Sequence, residues 1–229
     1  MNCIGISFLS ASLLIISVTS GCTSYRERQA FLTANSLDAF IADRPQAANL
    51  LRQHPVLEQW LRTEWNRPIE GYRIYWSDEE PAASPMAEHV ADPHSHLIAI
   101  RVSKTLLPVD QLLALSYETC NAQGRSRFEA LFAQAAAAKL TREDFVNAMD
   151  ETEYAATLRV KEGFSKLLPL SSNEVARTTL YRKLLEIPIG FHEFQAWSIR
   201  THSSNYFLGE KLYGQLYDRL VKTKQQINP

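Results

Sequence analysis

The chain has 229 residues, 45% of them hydrophobic and 21% charged, with Lys+Arg 24 against Asp+Glu 25 and a net charge of -1. Charges of both signs are interspersed rather than blocked, which excludes the basic face of a nucleic-acid-binding protein and a polybasic membrane patch. There is no internal repeat, Gly-rich phosphate loop or low-complexity linker, so the expectation is one domain held by its own core.

From Ile4 to Val18 the chain is uncharged and apolar, followed by Thr19-Ser20-Gly21-Cys22, and the first charged residue is Arg26. A run this short suits the apolar core of a secretory signal better than a membrane span. Small residues before a cysteine resemble a lipobox, the sequence read by the lipoprotein signal peptidase. The resemblance implies that residues 1–21 are a signal peptide and that Cys22 is acylated and becomes a membrane anchor. Thr23 after the cysteine implies, in Gram-negative lipoproteins, sorting to the outer membrane facing the periplasm. Thr19 stands where Leu is usual, and Met1-Asn2-Cys3 carries no Lys or Arg. The alternative is an ordinary cleaved signal or an uncleaved anchor helix. With Cys3 removed and Cys22 lipidated, Cys120 is the remaining thiol and no intramolecular disulfide forms.

Residues 22–229 read as a mainly α (α+β) domain with a small two- or three-stranded sheet. Helical spacing covers Tyr25 to Ile41, Gln46 to Gln53 and Pro55 to Trp65, the last with Leu57, Trp60, Leu61 and Trp65 on one face. The period then changes: Tyr72 to Trp76 and His96 to Ser103 are aromatic and β-branched and read as strands. The Pro-, Ala- and acid-rich stretch between them, Ser77 to Pro93, reads as a long loop. Helices follow from Pro108 to Ala122 and from Phe128 to Lys139. Another runs from Thr141 to about Phe164, one is opened by the Ser171/Glu174 capping box and reaches Leu185, and the last spans Tyr206 to Lys222.

Two carboxylates fall on apolar faces. Glu153 lies four residues after Met149, inside a stripe of Phe145, Met149, Ala156, Val160 and Phe164. Glu118 follows Leu115 by three in a segment apolar almost all round. A buried carboxylate is costly unless it is bonded, paired or metal-bound, so the pair marks a polar site inside the core.

Strand, strand, helix with central Glu, and helix with inward Glu resemble the core of the zincin metallopeptidases, over residues 70–160. In that family His-Glu-x-x-His places two zinc ligands on one helical face with a general base between them, and in one branch a Glu on the next helix is the third ligand. Here the matching segment is Tyr117-Glu118-Thr119-Cys120-Asn121, with Glu153-Tyr154 at the third-ligand position. The resemblance keeps the base, Glu118, and replaces both histidines, by Tyr117 and Asn121. A phenol and a neutral carboxamide are not among the usual zinc ligands. No cofactor is therefore expected, and a non-catalytic binding or scaffolding protein, with an envelope protein or peptide as partner, is the expected role.

The alternative is an active metal-dependent hydrolase with Glu118 as general base and Glu153 as ligand. His94, His96 or His192 would complete its zinc site. His94 and His96 share a face if they lie on a strand, while His54 and His89 sit beside turn signals and are expected in solvent. His202 follows His192 by ten residues. A third possibility is a plain helical adaptor. There is no Gly-x-Ser-x-Gly elbow, and Cys120 carries no activating cation in sequence. The aromatic group Trp60, Trp65, Tyr72, Tyr75 and Trp76 is expected to supply core packing or a contact surface.

Overall fold

A computed structural model describes residues 25–227 except 35, 83–85, 93, 169 and 202–212. The proposed signal peptide, Cys22, His202 and the stretch 206–212 of the last expected helix lie outside the described residues.

Four helices come first: α1 (Tyr25–Ala34), α2 (Leu37–Asp43), α3 (Pro45–Gln53) and α4 (Pro55–Trp65). The single helix expected over Tyr25 to Ile41 is two. Ser36 restarts the chain, its hydroxyl accepting from the Asp38 N–H as the N-cap of α2. Prolines open α3 and α4 at positions whose N–H has no helical partner in any case.

Strands β1 (Arg73–Trp76), β2 (Ala87–Asp92) and β3 (Leu97–Val102) form one mixed sheet in the order β1-β3-β2. β1 runs parallel to β3, with Arg73 opposite Leu97 and Trp76 opposite Ile100. β2 is antiparallel to β3, with His89 also opposite Ile100. β2 corrects the expected long loop. Its sequence, Ala-Glu-His-Val-Ala-Asp, has one β-branched residue, so propensity is weak, and pairing with the Ile-rich β3 decides the matter.

The helix α5 (Pro108–Ala122) then runs buried on all sides from Asp110 onward. It packs on the face of the sheet that carries Trp76, His89 and Ile100 and against α4 and α7. Next come α6 (Arg125–Ala136) and the long α7 (Arg142–Leu167), capped by the Thr141 hydroxyl accepting from the Asp144 N–H. The expected helix from Ser171 is divided at Thr178 into α8 (Ser172–Arg177), opened by the capping box, and α9 (Leu180–Glu186). α9 has no cap from its own Thr179. Instead Asp110, buried in the first turn of α5, accepts from the N–H groups of Thr179, Leu180 and Tyr181 at 2.9, 3.0 and 3.2 Å. One carboxylate thus serves the N-termini of two helices. α10 (Phe191–Thr201) and α11 (Gly214–Ile227) complete the described chain. Among the described residues no helix is long and apolar enough to cross a membrane.

The apolar interior is in two parts. The larger gathers α2 to α5, the sheet, the C-terminal half of α7, α9 and α10, and includes Trp76, Leu112, Tyr154, Phe164 and Trp197. The smaller joins α6, the start of α7 and α11 through Phe128, Phe145, Met149 and Tyr213. The aromatic group divides accordingly: Trp65 and Trp76 are buried, whereas Trp60, Tyr72 and Tyr75 are half-buried.

Candidate functional site

Between the two apolar clusters lies a polar one. α5 contributes Tyr117, Glu118 and Asn121, α7 contributes Glu153, β2 contributes His89, and Tyr213 enters from just before α11. All six are at most 4% exposed. α5 presents Glu118 and Asn121 together because residues three apart share a helical face, and Glu153 follows Met149 along the buried stripe of α7. Both glutamates are inward, as their places in the apolar pattern require. A hydrogen bond joins His89 Nδ1 to Glu118 Oε2 at 2.8 Å. The Tyr213 hydroxyl donates to Glu153 Oε1.

Burial and neighbouring charge both act on the Glu153 carboxyl. Burial pushes its carboxyl well above the ordinary carboxylate range, and the carboxylates of Asp150 and Glu118 push the same way, against the opposing bonds from Tyr213 and Asn121. Burial first, and then Glu153 itself, also raise the Tyr213 phenol. The Asn121 amide leans on Glu153 enough to favour the anion, yet falls short of a well-directed bond. Neither amide atom of Asn121 nor Glu153 Oε2 has a formed hydrogen bond among the described residues. Ser116 and Thr157 satisfy their buried hydroxyls locally, donating to the Leu112 and Glu153 carbonyls, whereas Thr119 Oγ1 on α5 has no hydrogen-bond partner among the described residues. Side-chain pairing between α5 and its neighbours is therefore concentrated at the carboxyls.

The structure separates the histidines differently from their sequence spacing. His94 and His96 are exposed in the β2–β3 turn rather than on a strand face, with His96 at φ 56°. His192 is exposed in the first turn of α10. The histidine that reaches a glutamate is His89, expected in solvent and found 2% exposed. Its readable signal was the alternation Ala87, His89, Ala91, which places all three on one face of a strand. Tyr213 gave no such signal, because its partner lies sixty residues earlier in the chain.

The donor set fits a catalytic zinc poorly. Such a site needs about three ligands and an open position, whereas a phenol and a carboxamide stand where the resemblance asks for imidazoles. His89 Nδ1 is committed to Glu118 and Glu153 is engaged by Tyr213. Cys120, buried beside this cluster on α5, is pushed up to about 12 by burial first and by Glu64 next. A thiol-reactive disulfide reagent is expected to leave Cys120 unmodified in the folded protein and to react fully in denaturant. Rapid native labelling would contradict the packing of α5.

No protein-family model matches the chain, and no curated protein or solved structure matches it.

Proposed function

We propose that the chain is an exported protein, anchored through a lipid on Cys22 at the periplasmic face of an outer membrane, whose helical domain binds or scaffolds an envelope protein or peptide. On this reading the zincin-like arrangement is a relic of fold without catalysis. The observation that carries it is the closure of the polar cluster: Glu118 is bonded to His89 and Glu153 to Tyr213, all sealed from solvent. A general base must reach a water or a substrate proton, and here the position of the base is turned to a histidine inside the core. The cluster joins α7 to the approach to α11 and α5 to β2 through these two bonds, a structural role open to buried polar side chains.

The test is metal content by mass spectrometry on protein purified without a metal-binding tag, together with melting in chelator. The expected result is substoichiometric metal and a melting temperature unmoved by chelator or added zinc. About one zinc per chain, lost with Glu153→Ala, would overturn the reading in favour of a metallohydrolase. Anchoring is checked separately by radiolabelled fatty-acid incorporation, expected to disappear with Cys22→Ala.

A further inference from the structure

We infer that the cleft beside the edge of β1 that no strand pairs among the described residues binds an acidic peptide segment in extended form. This names a partner class for the binding role proposed above and rests on it.

The parallel pairing of β1 fixes which of its backbone groups are spent. The Arg73 N–H donates to the His96 carbonyl at 3.1 Å and the Ser77 N–H to that of Ile100 at 3.0 Å. Alternate residues of a strand bond to opposite sides, so the N–H and C=O of Ile74 point away from β3. Toward Trp76 the strand is in contact with α2, and Phe40 packs edge-on against the indole at 4.9 Å. At Ile74, itself 9% exposed, it borders a cleft of about 430 Å³ lined by Leu32 of α1, β1 and the C-terminal end of α4.

The lining gives the cleft a chemistry. Trp65 and the ring of Tyr72, whose hydroxyl donates to Glu129 at 2.6 Å, form walls, Ser36 adds a hydroxyl, and two arginines, Arg67 and Arg73, also line it. Arg67 is bonded to Glu64 at 2.6 Å but remains 45% exposed. Arg73 is exposed and has no side-chain partner among the described residues. An extended peptide laid along the edge exchanges main-chain bonds with Ile74, the usual manner of strand addition. A carboxylate on that peptide meets the fork of Arg73, whose geometry suits bidentate bonding. A lipid headgroup or an inorganic anion satisfies the arginines but cannot both accept from Ile74 N–H and donate to its carbonyl as a backbone amide does. An arginine on a short edge strand also deters chance strand pairing, and the experiment separates that guarding role from recognition.

The full-length protein in mild detergent is panned against a phage-displayed random peptide library, and enriched peptides are measured by fluorescence anisotropy. Expected are sequences with Asp or Glu beside alternating β-branched residues. Arg73→Glu weakens them about tenfold, and raising the salt weakens them further. Methylating alternate peptide nitrogens abolishes binding, a control that leaves the protein untouched. No enrichment, or binders indifferent both to Arg73→Glu and to N-methylation, overturns the inference and leaves Arg73 as an edge guard. A cleft that captures nothing leaves the non-catalytic reading standing. Cleavage of a captured peptide, lost with Glu118→Ala, instead sinks that reading and keeps the cleft.

Discussion

Asp110→Ala is expected to destabilise the protein by about 3 kcal/mol, since charge-assisted hydrogen bonds contribute about 1.5–3 kcal/mol each and are not additive. Three N–H groups at the start of α9 depend on that carboxylate, and two of those bonds lie in the interior. Thr179 offers no side-chain cap to replace it. Alanine also removes the only acidic group in the first turn of α5. For a domain of this size the loss corresponds to a fall in Tm of about 6–12 °C. Asp110→Asn keeps one acceptor oxygen and should lose roughly half as much. Denaturant unfolding of the three proteins decides it. A variant within 0.5 kcal/mol of the parent, the scatter of about that size seen for surface changes, would show that α9 does not rely on Asp110.

Glu153→Gln is expected to stabilise the protein at neutral pH by about 1 kcal/mol, while Glu153→Ala costs about 2–3 kcal/mol. The carboxyl of Glu153 has its folded-state pKa raised well above 4.5, chiefly by burial. For an acid shifted upward, the folded form holds its proton more tightly than the unfolded form. The stabilisation is complete below about pH 4.5, the unfolded value, and is lost as pH rises through the folded one. Glutamine is a permanent mimic of the protonated group. Its carbonyl accepts from Tyr213, and its amide can donate to Asn121 Oδ1, which has no formed bond among the described residues. Alanine instead leaves the Tyr213 hydroxyl buried without an acceptor. The advantage of Glu153→Gln over the parent should therefore widen with pH from about 4.5 upward. Thermal melts across pH test it: parallel curves for parent and Glu153→Gln would mean that Glu153 is not the proton-holding group.

The glutamates were legible because helical periodicity is strict. Glu153 falls on the line of Met149 and Ala156, and Glu118 follows Leu115 by three in a segment apolar almost all round, so spacing places both inward. The capping residues Thr141 and Ser171 were legible for a similar reason, being local signals read within four residues. What was not legible depends on partners remote in the chain. β2 has a single β-branched residue, Val90, and owes its conformation to β3. His89 follows from β2, and without that strand it reads as one more histidine near prolines. The division between α8 and α9 rests on Asp110, about seventy residues earlier. The split of the first expected helix was the exception: Ser36 followed by Leu37-Asp38 is a local start signal that continuous helical spacing overrode in the reading.

The bond between Tyr213 and Glu153 also has a meaning in time. Chains emerge from the N-terminus, and α5 and α7 are made well before Tyr213, which donates to Glu153 on α7. Glu153 must wait sixty residues for its phenol. During that interval the helix pair carries a carboxyl whose donor has not yet been synthesised, and burying it then is disfavoured. The late tyrosine thus supplies the partner of Glu153 only as α11, the last helix among the described residues, is about to be made.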